Sequence, residues 1–232
     1  MKKLVFQYSG YKIKKFCLIG ASGYIAERHM KAILETENKL NLAYDINDSV
    51  GIIDSYFPES EFFTNYKNFQ EYLQKCQKNM SSKINYFSIC SPNYLHFKHI
   101  KLGLKSGCDI ICEKPLVVSL QKLNELKKLE KESNNKIYTI LQLRHHKAIK
   151  TLKNKIQMLP SEFKTEIELT YITMRGKWYD KSWKSDPKKG FGLVTNIGIH
   201  FFDMLHYLFG DLKESILHLN ENKKASGYLK FA

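Results

Sequence analysis

Short apolar runs alternate with helical segments from about residue 15 to residue 141, and this alternation constrains the fold more than any other feature of the sequence. The runs, such as residues 16–19 and 40–44, are almost continuously apolar. Strands of this kind are typical of a parallel sheet that helices cover on both faces. In such a sheet, functional residues gather beyond the carboxyl ends of the strands. The residues at those ends are Gly20, Asp45, Ser91, Lys114 and Gln142.

A turn of small residues follows the first predicted strand, with the spacing Gly20-x-x-Gly23-x-x-Ala26. This is one residue longer than the G-x-G-x-x-G turn of many dinucleotide-binding proteins, but it can meet the same need. Gly20 makes the turn tight, Gly23 admits a pyrophosphate, and Ala26 lets the helix pack closely on the strand. Asp45 can bind both ribose hydroxyls of an adenosine and would repel a 2′-phosphate, which favours NAD over NADP. Asp45 could instead be a turn residue or a helix N-cap.

Two candidate proton-transfer groups come later in the chain. Lys114 lies between Glu113 and Pro115 after a buried strand, and the proline restricts the backbone so that the lysine is held in place. A partly desolvated lysine loses proton affinity and can act as an acid, a base or a hydrogen-bond donor. His200 follows Asn196 by four residues, so both lie on one side of a helix, and an imidazole can accept a hydroxyl proton as hydride leaves carbon. The alternatives are a surface lysine and a core histidine.

A different pattern begins after about residue 147. Residues 166–173 alternate between polar and apolar, which predicts a half-exposed antiparallel strand. Residues 196–208 are expected to form a buried helix, and the chain after them a strand or two. We therefore predict an α/β chain with a doubly wound Rossmann domain at residues 1–147 and an α+β domain with an open, mostly antiparallel sheet at residues 148–232. Residues 1–12 are expected to be a disordered extension.

The net charge of +14 raises the question of nucleic-acid binding. Only three of the 37 basic residues are arginine (Arg28, Arg144 and Arg175), whereas base readout and bidentate phosphate contacts favour arginine. We therefore expect no nucleic-acid partner, and a lysine-rich surface that helps to attract a polyanionic substrate such as a sugar nucleotide. The five cysteines lack a CxxC pair, so we expect no metal. No apolar run approaches the roughly 20 residues needed to cross a bilayer, so we expect a cytoplasmic protein without a membrane partner.

The motif Glu113-Lys114-Pro115 and the G-x-H-x-x-D pattern from Gly198 to Asp203 resemble hallmarks of the Gfo/Idh/MocA oxidoreductases. That family pairs a Rossmann domain with an open-faced, antiparallel substrate domain. The sequence is similar in more detail to one branch of the family, the bacterial UDP-N-acetylglucosaminuronate 3-dehydrogenases. The stretches that carry this similarity are residues 23–33, 48–63, 88–96, 111–117, 141–146 and 195–205.

The resemblance implies NAD-dependent oxidation of the C3 hydroxyl of a UDP-linked N-acetylglucosaminuronic acid to the 3-keto sugar, in the biosynthesis of bacterial surface polysaccharides such as O-antigen. It also implies 2-oxoglutarate as a partner that regenerates NAD, and a homo-oligomer, a dimer or a tetramer, where the substrate domain is intact. Family members are longer, so we expect this substrate domain to be truncated at its C-terminus. Two alternatives stay open: a family member that acts on a free sugar or a cyclitol, and an NAD-binding chain without turnover.

The resemblance also implies roles for individual residues. His200 would accept the hydroxyl proton while Lys114 hydrogen-bonds the developing carbonyl oxygen, or the two roles would be exchanged. Asn196 stands where many family members have an aspartate, and an amide cannot act as an acid or a base. The implied cofactor contacts are Gly20, Ser22, Gly23, Tyr24, Ile25, Asp45, Ser91, Pro92, Asn93, His96, Glu113, Lys114 and Gln142. The implied substrate contacts are Lys114, Arg144, Arg175, Tyr179, Trp183, Asn196 and His200.

Overall fold

The structure, a computed structural model, describes residues 12–160 and 163–232. The predicted extension at residues 1–12 therefore lies, apart from Lys12, outside the described residues. The strands are β1 (Lys15–Ile19), β2 (Lys39–Tyr44), β3 (Glu61–Phe63), β4 (Tyr86–Ile89), β5 (Asp109–Cys112), β6 (Ile137–Thr139), β7 (Leu212–Asn220) and β8 (Ala225–Phe231). The α-helices are α1 (Ala26–Glu35), α2 (Tyr66–Lys78), α3 (His96–Lys105), α4 (Leu120–Ser133), α5 (Lys147–Gln157), α6 (Pro187–Gly190) and α7 (Ile199–Phe209). None of these helices is long and apolar enough to cross a membrane.

Strands β1 to β6 form one sheet in the order β3-β2-β1-β4-β5-β6. Strand β1 pairs in parallel with β2 and β4, β2 pairs in parallel with β3, and β4 pairs in parallel with β5. Strand β1 thus lies in the middle of the sheet, with β2 and β3 added on one side and β4, β5 and β6 on the other, which is the doubly wound Rossmann arrangement. The prediction of this fold class is confirmed. Strand β3 was not predicted, because three residues are too few to give a periodic pattern.

The inner strands of the sheet are apolar because both of their faces are buried. Cys17, Leu18 and Ile19 are fully buried in β1, and helices α1 and α2 contact β2 while α3 contacts β4 and β5. Each large apolar side chain removed from water in this way contributes roughly 1.5–3 kcal/mol before conformational entropy is subtracted. The largest fully buried side chains are Leu18, Ile19, Met30, Leu42, Phe69, Leu73, Ile84, Phe87, Ile89, Ile100, Leu104 and Ile110.

The described chain divides into two compact units. The first unit contains residues 12–91, 96–112 and 124–138, and therefore nearly all of the parallel sheet. The second unit contains residues 92–95, 113–123, 139–160 and 163–232. The segments that carry Asn93 and Lys114, although they follow strands β4 and β5 in the chain, belong to this second unit.

The second unit combines helices with an antiparallel hairpin. Strands β7 and β8 pair antiparallel, and α7 contacts α5 and the 3₁₀ turn Gln142–His145. The α+β character predicted for the C-terminal part is confirmed. The predicted strand at residues 166–173 is wrong: the segment has no regular structure and pairs with no strand in the described part of the chain. Alternation of polar and apolar residues indicates two different faces, but a strand also needs a hydrogen-bonded neighbour.

Candidate active site and cofactor loop

The glycine turn after β1 has a backbone that only glycine fits well. Gly20 has a φ of +86°, and a Cβ there would lie 2.5 Å from the backbone nitrogen of Ser91 and 2.6 Å from the carbonyl carbon of Cys90. A Cβ at Gly23 would lie 3.1 Å from the carbonyl oxygen of Gly20. The turn therefore packs directly against the chain that leaves β4, and it opens into helix α1, which begins at the fully buried Ala26.

Asp45, at the end of β2, is tied to this turn. One carboxylate oxygen accepts a hydrogen bond from the backbone nitrogen of Ser22 at 3.0 Å, and the other accepts one from the backbone nitrogen of Asn47 at 3.0 Å. Asp45 is only 8% exposed. It therefore has the turn-stabilising role that the sequence left open. A carboxylate has about four lone-pair positions, so its binding of ribose hydroxyls stays a prediction that these two bonds do not prevent.

The turn after β4 is supported by buried histidines. The Ser91 hydroxyl lies 2.8 Å from Nδ1 of His99, and Nε2 of His96 lies 2.9 Å from the carbonyl oxygen of Ser91. Burial, and then the electrostatic influence of Lys98 and His96, lower the pKa of His99 to about 4, so the ring of His99 is neutral at pH 7. His96 is fully buried in this network. Its contact with the cofactor stays a prediction.

The other predicted cofactor contacts differ in exposure. Tyr24 is 83% exposed, whereas Ile25 is partly buried against the core. In the second unit, Asn93 is 8% exposed, and its side-chain Nδ2 has no hydrogen-bond partner among the described residues. An unpaired buried amide donor is costly, so this group suits a ligand that accepts a hydrogen bond. The remaining predicted contacts in the second unit are the half-buried Pro92, Glu113 and Lys114 and the exposed Gln142.

The residues of the first unit fit a bound dinucleotide. Such a ligand requires a turn that lacks a Cβ at two positions, Gly20 and Gly23, the amino end of a helix behind it and a buried aspartate on the next strand, and the first unit has all three. The tight turn lets phosphate approach the backbone, and the helix end offers unpaired N–H groups to its negative charge.

Lys114 follows β5 and is held by Asn196. Its Nζ donates to the carbonyl oxygen of Asn196 at 2.7 Å and to Oδ1 of the same residue at 3.0 Å. Burial is the main cause of a lowered pKa at Lys114; the nearby carboxylate of Glu113 opposes this shift, and the charges of two further cations add to it. An ammonium has three donors, so two bonds to Asn196 leave one N–H for a ligand.

His200 lies in the first turn of α7, directly after the π-helical turn Val194–Gly198 that carries Asn196. Its Nδ1 is buried and has no hydrogen-bond partner in the part of the chain that the structure describes. Burial, and then the positive charge of Lys114, lower the pKa of His200. The neutral imidazole is therefore favoured at pH 7, and it can accept a proton. The structure thus brings Lys114, Asn196 and His200 together in one unit.

Arg144, a predicted substrate contact, makes a bidentate ion pair with Asp203, the last residue of the G-x-H-x-x-D pattern. Its Nε donates to Oδ2 of Asp203 at 2.9 Å, and Nη2 donates to Oδ1. The Asp203 side chain is only 7% exposed, so the pair fixes helix α7 to the 3₁₀ turn that carries Arg144. Because two nitrogens of the guanidinium already donate to Asp203, binding of substrate by Arg144 stays a prediction. The local sequence pattern around Asp203 does not indicate this role.

The last three predicted substrate contacts lie among aromatic rings. The guanidinium of Arg175 lies 5.3 Å from the ring centre of Tyr179, and the rings of Trp183 and Tyr94 are 6.4 Å apart. Lys184, which the sequence analysis did not single out, lies over two indole rings in the same segment. The one feature of the sequence that points to Lys184 is the tryptophan directly before it, Trp183.

The strand order and the glycine turn define a Rossmann-type dinucleotide-binding protein. The family model described as "Oxidoreductase family, NAD-binding Rossmann fold" matches residues 14–141, and the model described as "Oxidoreductase family, C-terminal alpha/beta domain" matches residues 163–230. The chain belongs to the Gfo/Idh/MocA oxidoreductase family. The predictions of the family and of NAD as the cofactor are confirmed.

Solved structures with similar folds include two of the WlbA (WbpB) dehydrogenase from Thermus thermophilus. One is a complex with NAD and alpha-ketoglutarate, is 42% identical in sequence, and has a TM-score of 0.86 over 94% of this chain and 70% of that chain. The other is a complex with NAD and UDP-GlcNAcA and is 41% identical, with the same TM-score and the same coverage.

Curated relatives are more distant. The glucose-6-phosphate 3-dehydrogenase of Bacillus subtilis is 26% identical over 85% of this chain and 54% of the relative, and the D-glucoside 3-dehydrogenase of Escherichia coli is 24% identical over 84% of this chain and 54% of the relative. The chain thus spans about half the length of these curated relatives.

Proposed function

We propose that this chain is an NAD-dependent dehydrogenase that oxidises the C3 hydroxyl of a UDP-linked N-acetylglucosaminuronic acid to a ketone. One observation carries the proposal: a lysine ammonium anchored to Asn196 and an imidazole with a buried, unpaired Nδ1 belong to the same unit of the chain. The 41–42% identity to a dehydrogenase that has been crystallised with NAD and UDP-GlcNAcA supports this substrate. Both curated relatives are named as 3-dehydrogenases of glucose derivatives, which supports C3 as the reacting carbon.

His200 accepts the proton in this mechanism. In the tautomer protonated at Nε2, the buried Nδ1 is a free acceptor for the C3 hydroxyl. The lowered pKa keeps the imidazole neutral and ready at pH 7. A group positioned to take a proton in the transition state typically contributes 10²–10⁴-fold to the rate.

Lys114 stabilises the oxygen as the C–O bond becomes a carbonyl. Two of its N–H groups are fixed on Asn196, which aims the third at a ligand without a further loss of side-chain entropy. Asn196 accepts these bonds without a negative charge, so the ammonium keeps its full charge for the substrate oxygen. Bound NAD would supply the acceptor for the hydride of C3, and the glycine turn with Asp45 would hold its adenosine and pyrophosphate.

The remaining assignments also belong to the proposal. We propose 2-oxoglutarate as the co-substrate that oxidises bound NADH again, supported by the similar dehydrogenase crystallised with NAD and alpha-ketoglutarate. A homo-oligomer and a place in the biosynthesis of bacterial surface polysaccharides are expectations from the resemblance.

The direct test is a panel of substrates with NAD, followed at 340 nm. We expect UDP-N-acetylglucosaminuronate to give NADH, and 2-oxoglutarate to reverse the rise. His200→Asn should lower kcat by about 10²–10⁴-fold with little change in KM, because it removes a proton acceptor used only in the transition state. His218→Asn, at an exposed position on β7, is the matched control and should keep full activity. Full turnover by His200→Asn would refute the assigned role.

A second candidate is a dehydrogenase of the same family that acts on a sugar without a nucleotide. It is supported by the similarity to the glucose-6-phosphate and D-glucoside enzymes. The same panel separates the two proposals: NADH formed from glucose 6-phosphate, a methyl glucoside or myo-inositol, and not from the UDP sugar, would favour this second candidate.

A further inference from the structure

A group of cations and aromatic rings at residues 175–184 is not used by the mechanism above. Nζ of Lys184 lies 5.5 Å from the ring centre of Trp178 and 5.8 Å from that of Trp183. Arg175 lies over the ring of Tyr179. A cation within about 6 Å of an aromatic face is attracted by the ring quadrupole, most strongly for tryptophan. Two indoles therefore hold the ammonium of Lys184 in place.

The backbone beneath Lys184 is also fixed. The Tyr179 hydroxyl donates to the carbonyl oxygen of Lys184 at 3.2 Å, and the backbone nitrogen of Lys184 donates to the hydroxyl of Ser182 at 3.3 Å. Gly190 packs directly against this carbonyl group, because a Cβ on Gly190 would clash with the Lys184 oxygen. The ammonium is thus mounted on a turn whose position several bonds determine, rather than on a free loop.

The positive charge of this group is not neutralised by residues 12–160 or 163–232. In the part of the chain that the structure describes, no carboxylate lies within ion-pair distance of Arg175 or Lys184. Burial lowers the pKa of Lys184, and the charge of Arg175 lowers it further. Both cations also act on Lys114. Two neighbouring cations repel each other, and the half-buried Lys184 also loses hydration, so a site built in this way is stabilised by an anion.

We propose that Lys184 and Arg175 form a receptor for an anionic group of the substrate, and that Lys184 distinguishes a sugar with a carboxylate from its neutral counterpart. The inference rests on the proposed function, because it takes Lys114 to mark the reacting sugar. The substrate has two sources of negative charge, the C6 carboxylate and the diphosphate. Lys184 and Arg175 lie near enough to Lys114 to lower its pKa. Because Lys114 stabilises the reacting oxygen, this position favours the carboxylate, which lies on the sugar that reacts.

The chain provides its own probe for this receptor. Its two tryptophans are Trp178 and Trp183, the rings that hold Lys184, so tryptophan fluorescence reports on this site alone. The experiment titrates the full chain, in the presence of NAD, with UDP-N-acetylglucosaminuronate and with UDP-N-acetylglucosamine, which keeps the diphosphate and lacks the carboxylate. Lys184→Met should weaken binding of the uronate by about 10- to 100-fold, since a charge-assisted contact is lost, and binding of the neutral sugar by less than about twofold.

Two variants serve as controls. Lys184→Arg keeps the charge and should retain most of the preference for the uronate. Lys189→Met removes a cation that also lies over an aromatic ring, that of Tyr94, but that pairs with Asp186 at 3.8 Å; it should leave both affinities unchanged. The melting temperature of each variant establishes that it is folded.

Each other outcome overturns a defined part of the proposal. Equal weakening for both ligands would mean that the receptor binds the diphosphate, which overturns the discrimination by Lys184. Unchanged affinity in folded Lys184→Met, or a wild-type chain that binds neither sugar nucleotide, would overturn the receptor itself. Binding that depends on Lys184 without any rise at 340 nm would overturn the proposed dehydrogenase and leave the receptor standing.

Discussion

His99 is a buried group whose protonation should weaken the fold at low pH. The residue is 3% exposed, its ring is hydrogen-bonded to the Ser91 hydroxyl, and its pKa is lowered to about 4 from an ordinary 6.5, mainly by burial. Between these two values the unfolded chain binds a proton that the folded chain does not. Stability therefore falls as the pH decreases below 6.5 and levels off below about 4. The difference between the two pKa values corresponds to a loss of about 3 kcal/mol in the free energy of unfolding.

The assay is urea unfolding, followed by far-ultraviolet circular dichroism at several pH values between 7.5 and 4.5. The wild type is compared with His99→Gln, which cannot titrate and keeps an acceptor for the Ser91 hydroxyl. His99→Gln is less stable than the wild type at pH 7.5 because the two side chains differ in shape. This difference in the free energy of unfolding should shrink by about 2–3 kcal/mol as the pH falls to 4.5, since the other titrating groups contribute equally to both proteins and cancel. The exposed His218→Gln is the control. A parallel loss of stability in wild type and His99→Gln would refute the reasoning, as would a His99 pKa near 6.5 in an NMR titration.

Three further predictions concern the cofactor turn and helix α7. Gly20→Ala should lower the free energy of unfolding by more than the roughly 1–2 kcal/mol that a left-handed alanine costs, and should weaken NAD binding, because its Cβ meets the backbone of the chain after β4. Gly107→Ala is the control, since Gly107 has a φ of +70° with open space around it and the substitution adds the backbone strain alone. Equal melting temperatures of the two variants would contradict the clash. Asp45→Asn should reduce the preference for NAD over NADP by about tenfold in equilibrium binding, since the repulsion of a 2′-phosphate is lost; an unchanged ratio would count against a role at the ribose. Asp203→Asn should lower the free energy of unfolding in urea by about 1–3 kcal/mol, because it leaves the Arg144 guanidinium without its charged partner. The double variant Asp203→Asn with Arg144→Met should lose less stability than the sum of the two single variants. Strictly additive losses would contradict the pairing.

The parallel sheet could be predicted from the sequence because its signals are local. Each main strand is a short apolar run that ends at a turn residue, and β5 lies at the predicted positions. Strand β3 was missed because three residues carry no pattern, and residues 166–173 were predicted as a strand from alternation alone. Whether such a segment finds a partner depends on distant parts of the chain, which a local pattern does not contain.

The candidate site was predictable where a single residue has an unusual neighbour, as at Lys114 between an acid and a proline. The contacts that give these residues their chemistry join positions far apart: Lys114 and Asn196 are separated by 82 residues, and Arg144 and Asp203 by 59. Spacing along the chain does not reveal such pairs. Lys184 was missed for the same reason, since its charge matters only because, among the described residues, no carboxylate pairs with it or with Arg175.

The central claim is that hydride leaves C3 of the sugar and that this chain's residues take up the proton. The most direct measurement uses UDP-N-acetylglucosaminuronate deuterated at C3, incubated with the chain and NAD, with the mass of the reduced cofactor determined. The account predicts NADH that is heavier by one deuterium with wild type and with His218→Asn, and almost none with His200→Asn. Unlabelled NADH would show that another carbon is oxidised, and bound NAD that stays oxidised would contradict dehydrogenation by this chain.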